Sequence, residues 1–77
     1  MEDWEERIAI NNEIMGGKPV IKGTRLPLQI IVGELAGGST IEEVCAGYDI
    51  TEEDVRAALA YAAETLAQER LHALPGR

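Results

Sequence analysis

Nucleophilic chemistry has little to draw on in this chain, which holds one serine (Ser39), one cysteine (Cys45) and one histidine (His72). A triad needs three such groups around one reacting atom. Ser39 reads better as a helix cap. Cys45 falls on the apolar face of a short helix, where a free cysteine acts as a small buried hydrophobe. Glu69 and His72 have the Glu-x-x-His spacing of carboxylate-bridged di-iron bundles, but those sites need a second such pair and further carboxylates. Glu42-Glu43 and Glu52-Glu53-Asp54 each open a helix, where negative charge meets the positive end of the helix dipole. Gly16-Gly17-Lys18 resembles a phosphate loop only in part. The Walker pattern places a glycine where Asn12 stands and Ser or Thr where Pro19 stands. The chain is therefore expected to be no enzyme, and no metal or cofactor is expected.

The basic residues carry the other possible chemistry. The net charge is −7, which argues against a generic nucleic-acid binder. Its distribution is uneven: residues 1–14 sum to −4, residues 15–41 to +2 and residues 42–77 to −5. The positive window contains Lys18, Lys22 and Arg25. These can meet a phosphate backbone or an acidic partner, or pair with the chain's own acidic excess. Arg56 is the one base in the first turns of the last helix. There, Glu52, Glu53 and Asp54 would face a DNA backbone with like charge, so reading by that helix is disfavoured.

The elements that position these groups follow from local pattern. Residues 15–27 hold three of the eight glycines and two of the three prolines, and so form a shaped, turn-rich segment. Ile8 and Ile10 alternate as in a short strand, and Val20-Ile21 is a second β-branched pair. The β element is expected over about 7–25. A helix over about 27–36 begins with Pro27 at its first position and repeats Leu28, Ile31, Val32 and Leu35; Gly37-Gly38 stops it. A second helix over about 40–46 is capped by Ser39 with Glu42 or Thr40 with Glu43, and Gly47 ends it. A third over about 52–72 is capped by Thr51 with Asp54. Val55, Leu59, Ala62 and Leu66 form its apolar stripe, and Ile50 staples to Val55. Trp4 is open to two readings, an interface anchor or a group packed on its own domain.

The length of 77 residues suits one domain with a marginal core, which favours a dimer. One cysteine leaves no internal disulfide, and the acidic start lacks signal-peptide character. No apolar run approaches the ~20 residues of a membrane span. A cytoplasmic location is expected.

The run Ile14-Met15-Gly16-Gly17-Lys18-Pro19-Val20-Ile21-Lys22-Gly23-Thr24-Arg25-Leu26-Pro27 resembles the signature of a small bacterial family, domain of unknown function 433. Gly38-Ser39-Thr40-Ile41-Glu42-Glu43-Val44, Tyr48, Ile50-Thr51-Glu52-Glu53-Asp54-Val55 and Ala57-Ala58-Leu59-Ala60-Tyr61-Ala62 extend the resemblance. It covers roughly residues 8–63. It implies a dimeric helix-turn-helix-like fold with a small N-terminal β element. It also implies an antitoxin-like role beside a nuclease-like toxin of PIN-type fold, with autoregulatory DNA binding as an adjunct. The expected architecture is mainly α: a three-helix, homeodomain-like domain with a short β element. The residues expected to bind a partner or nucleic acid are Lys18, Lys22, Arg25 and Arg56. Those expected to shape the motif are Gly16, Gly17, Pro19, Gly23, Thr24 and Pro27. A stand-alone DNA-binding regulator is the alternative reading.

Overall fold

A computed structural model describes residues 3–69. Strands β1 (Ile8–Ala9) and β2 (Val20–Ile21) pair antiparallel, Ile8 opposite Ile21 and Ala9 opposite Val20. Helices α1 (Leu28–Ala36), α2 (Ile41–Tyr48) and α3 (Glu52–Gln68) follow. A 3-10 turn, Trp4–Arg7, precedes β1 and packs on α3. The fold is thus mainly α with a short N-terminal β element, and α2 and α3 meet across three residues in a helix-turn-helix order.

The core joins both strands and all three helices. Ile21, Leu28, Ile31, Val44, Ile50, Val55 and Ala58 form one buried cluster, with Ile8, Val32, Cys45 and Tyr61 half-buried around it. Each fully buried Val or Ile contributes roughly 1.5–3 kcal/mol relative to an exposed one. Two capping boxes fix the helix starts. Thr40 Oγ1 accepts from the Glu43 amide at 3.0 Å, and the Glu43 carboxylate accepts from the Thr40 amide at 2.8 Å. Thr51 and Asp54 make the same reciprocal pair at 3.1 Å each way. Ile50 and Val55, which flank that cap, are both buried as a hydrophobic staple requires.

Four expectations are corrected. Pro27 is not the first helical residue; it is extended (φ −67°, ψ 144°) and bridges Val20, so α1 begins at Leu28. The amide of Leu28 donates to the Pro19 carbonyl at 3.0 Å, which replaces a side-chain cap. Gly47 does not end α2. The helix runs to Tyr48, and Asp49 takes the left-handed cap conformation at φ 58°. The short polar side chain of Asp tolerates that region. The Ile50 amide then bonds back to the Cys45 carbonyl at 3.1 Å and turns Ile50 into the core. The α3 stripe is buried only at its start: Val55, Ala57 and Ala58 are inside, whereas Leu59 and Leu66 are 39% and 63% exposed. Residue 69 already has extended backbone, and residues 70–72 of the expected helix lie outside the described residues. Ile10 does not share the core with Ile8, because β1 stops at Ala9 and leaves Ile10 60% exposed.

Candidate functional site

The basic segment is a hairpin. The Ile21 amide donates to the Leu26 carbonyl at 3.1 Å, and Val20 bridges Pro27, so residues 22–25 form the tip. Inside it, the Thr24 amide bonds to the Ile21 carbonyl at 2.9 Å. Gly23 occupies the third turn position at φ 83°, as a type II turn requires. Thr24 locks the tip twice: its hydroxyl donates to the Ile21 carbonyl at 2.7 Å and accepts from the Leu26 amide at 3.0 Å. The Lys22 amide donates to the Arg7 carbonyl at 2.8 Å, which ties the tip to the start of the chain.

A second turn precedes the hairpin. Met15, Gly16 and Gly17 have φ of 52°, 68° and 87° in succession. The Gly17 amide bonds to the Ile14 carbonyl at 3.0 Å and the Lys18 amide to the Met15 carbonyl at 3.3 Å. These are two overlapping left-handed turns, which glycines permit. At Gly17 a β-carbon would also lie 3.1 Å from Asn12 Oδ1. The turn delivers Lys18 and Pro19 to the mouth of β2.

Lys18, Lys22 and Arg25 are exposed, and no described residue pairs with their side chains. Of the alternatives open for these bases, pairing with the chain's own acids is not seen among the described residues. Arg56 differs. Its guanidinium holds Glu52, one turn back on α3, at 2.7 Å. The three loop bases belong to one connected turn-and-hairpin segment, whereas Arg56 lies on α3 in an acidic neighbourhood. Asp49, Glu52 and Glu53 are exposed around the α2–α3 junction, and Glu42 and Glu43 are exposed in the first turn of α2, at its other end. Arg56, the one base in the first turns of α3, thus stands in an exposed pair with Glu52.

Of the groups considered for catalysis, Ser39 and Cys45 fall among the described residues. Ser39 does not cap α2; its hydroxyl donates to Glu34 Oε1 at 3.1 Å. The Tyr48 hydroxyl donates to Glu34 Oε2 at 3.2 Å, so one carboxylate ties both ends of α2 to α1. Partial burial of the ring, then the hydrogen bond and negative charge of Glu34, raise the Tyr48 pKa above its usual 10.0. Cys45 is half-buried beside the core. His72 lies outside the described residues, so the Glu69–His72 spacing is not represented. Among the described residues no group of three metal-binding side chains lies together. No described helix is long and apolar enough to cross a membrane.

Two apolar features escape the sequence pattern. A groove of about 330 Å³ runs between α1 and α3, lined by Pro19, Leu28, Val32, Tyr61, Ala62 and Leu66 among others. A second, of about 310 Å³, lies against Trp4, Ile8, Ile10 and Tyr61. The signal for the first is present in hindsight. Residues 28 and 32 on α1 and residues 58, 62 and 66 on α3 form two i, i+4 rows. The helices are too unequal in length for the shorter to cover the longer. Trp4 packs on its own domain, edge-on to Tyr61 with ring centres 6.3 Å apart.

The architecture is a three-helix domain with a basic hairpin, and Arg7 touches both the tip of that hairpin and the start of α3. Residues 8–62 match the family described as protein of unknown function, DUF433, and the chain belongs to that family. Among solved structures, that of a DUF433 member protein from Anabaena variabilis is 32% identical. It covers 80% of this chain and 62% of its own, with a TM-score of 0.74. Rv2018 from Mycobacterium tuberculosis shares the fold at 24% identity and a TM-score of 0.65, over 73% of this chain and 27% of its own. The chain thus spans less than two thirds of either protein's length. No curated protein matches it.

Proposed function

We propose that this chain is a non-enzymatic, antitoxin-like module that works as a homodimer in the cytoplasm and neutralises a nuclease-like toxin of PIN-type fold. The observation that carries the reading is the exposed carboxylate surface at the α2–α3 junction, where Arg56 offsets Glu52 alone. A nuclease site is built to hold a polyanion, and a fixed array of carboxylates competes for the same field. The family resemblance supports a toxin of that kind as the partner.

The test is capture of the tagged full chain from its host at moderate salt, with the retained protein identified and assayed for nuclease activity. A stoichiometric nuclease whose activity the chain suppresses is the expected result. Replacing Glu52 and Glu53 with glutamine weakens that suppression, with helicity by circular dichroism followed alongside, because both side chains are exposed but lie in the first turn of α3. Suppression unchanged by the replacement overturns the assignment of the surface.

A second reading has its own observation: Lys18, Lys22 and Arg25 have no side-chain partner among the described residues. A turn-and-hairpin segment carrying these three bases suits contact with a nucleic-acid backbone, as an autoregulator or a stand-alone regulator would make. Capture of nucleic acid without a protein, with affinity falling log-linearly as salt rises, moves the assignment to this reading.

A further inference from the structure

We propose that the groove between α1 and α3 receives a second copy of this chain, the last turns of each α3 lying along the groove of the other. The inference rests on the dimeric state within the reading above and assigns it a surface apart from the acidic junction.

Three observations carry it. The first is length. Helix α3 has 17 residues and α1 has nine, about 25 Å against about 13 Å at the usual rise. The later turns of α3 therefore extend past the helix they pack on. Leu66 stands at that end, 63% exposed, on the rim of the groove.

The second is fit. Leu66 projects, while Ala58 and Ala62 leave the α3 side of the groove low enough for another helix to approach. The projection and the slot are on the same molecule. A two-fold pairing seats each leucine in the other's slot at once, and a second copy brings both halves by symmetry. The adjoining apolar side chains, Pro19, Leu28, Val32 and Tyr61, form a wall of core-like character.

The third is charge. The α1 wall belongs to the 15–41 window, net +2, in which Lys18 (the residue before Pro19 of the wall) has no partner among the described residues. Three of the four acids of α3 stand in its first turn; the last turns, residues 62–68, carry a single charge, the carboxylate of Glu64 beside Leu66. An incoming α3 end therefore brings one negative charge to a wall edged by Lys18, and the exchange happens twice across the dimer. Complementary fields of this kind set register and suppress wrong partners.

The experiment is sedimentation of the full chain at micromolar concentration, with Leu66→Glu, Lys18→Glu and Ile10→Glu beside the wild type and helicity followed by circular dichroism. The wild type is expected at twice the chain mass. Leu66→Glu is expected to weaken association roughly tenfold or more, as loss of an interface anchor does, with helicity unchanged. Lys18→Glu is expected to weaken it a few-fold and fully preserve the fold, so the proposal stays testable if the leucine variant fails to fold. A dimer indifferent to Leu66 and Lys18 overturns the surface but leaves the dimeric reading standing. Dissociation by Ile10→Glu alone moves the contact to the β1 edge. A monomeric wild type overturns both. A monomer whose binding to a nuclease-like protein depends on Leu66 overturns the second copy as occupant and gives the groove to that protein.

Discussion

Gly23 is the residue on which the hairpin tip turns. Its φ of 83° lies where a β-branched side chain is a steric outlier, although nothing stands within 4 Å of a β-carbon placed there. The cost of substitution is therefore conformational and not a clash. Left-handed backbone costs roughly 1–2 kcal/mol for an L-residue, and more for a branched one. In a domain of this size about 1 kcal/mol moves the melting temperature by roughly 4–8 °C. Gly23→Val is expected to lower the melting temperature by at least that amount. Lys22→Ala, an exposed position without a side-chain partner, is expected to stay within about 0.5 kcal/mol of wild type. Equal melting temperatures for the two variants contradict the backbone assignment. At this scale the sequence is legible for Gly23, because a glycine before Thr-Arg after a β-branched pair has one common use. It is not legible for Met15, which holds φ 52° with no composition cue, since the run of left-handed residues begins one position before the glycines.

At the scale of elements, the two capping boxes were readable because each needs only a fixed four-residue spacing, and Thr51 with Asp54 holds as expected. The choice between Ser39 and Thr40 was not readable from spacing. It is settled by Glu34, on a different helix, which takes the Ser39 hydroxyl and leaves Thr40 to cap. The same carboxylate accepts from Tyr48, and this tie between α1 and α2 carries a pH dependence. The Tyr48 pKa is raised in the folded chain by partial burial and then by Glu34. Unfolded, the phenol loses its proton near 10.0; folded, it keeps it to higher pH. Between those values the native state binds more protons, so stability falls as pH rises. The contribution is fully present below pH 10 and is lost through the folded pKa. Stability measured by urea unfolding is expected to fall more steeply above pH 10 in wild type than in Tyr48→Phe, which has nothing to titrate there. Parallel curves for the two proteins contradict the Tyr48–Glu34 bond. Every titrating group common to both proteins cancels in that comparison.

For the whole molecule, what the sequence left open was which apolar groups face inward. Helical spacing placed Leu59 and Leu66 on the same stripe as Val55, but spacing along one helix carries no information about how far its neighbour extends. Burial depends on that second length. Trp4 was undecided for the related reason that its partner, Tyr61, is far along the chain. The structure makes the N-terminal turn a clasp on α3. Trp4 meets Tyr61 edge-on, and Arg7 Nη1 donates to Asp54 Oδ1 at 3.1 Å, two turns nearer the start of the helix. An edge-to-face aromatic pair adds about 0.5–1.5 kcal/mol beyond its buried area. The clasp also couples to the helix cap, because Asp54 serves both Arg7 and Thr51. A segment bound only by its own contacts frays before the body melts. One that shares a carboxylate with a cap and a backbone bond with the hairpin tip is expected to melt with the body, as small domains do. Trp4 is the chain's one tryptophan, so its fluorescence reports the clasp alone. Thermal transitions followed by that fluorescence and by far-ultraviolet circular dichroism are expected to coincide. A fluorescence transition at clearly lower temperature, with helicity still intact, contradicts a clasp that belongs to the cooperative unit. Trp4→Ala is expected to lower the circular-dichroism midpoint itself, because the pair it removes is part of what the helices melt against.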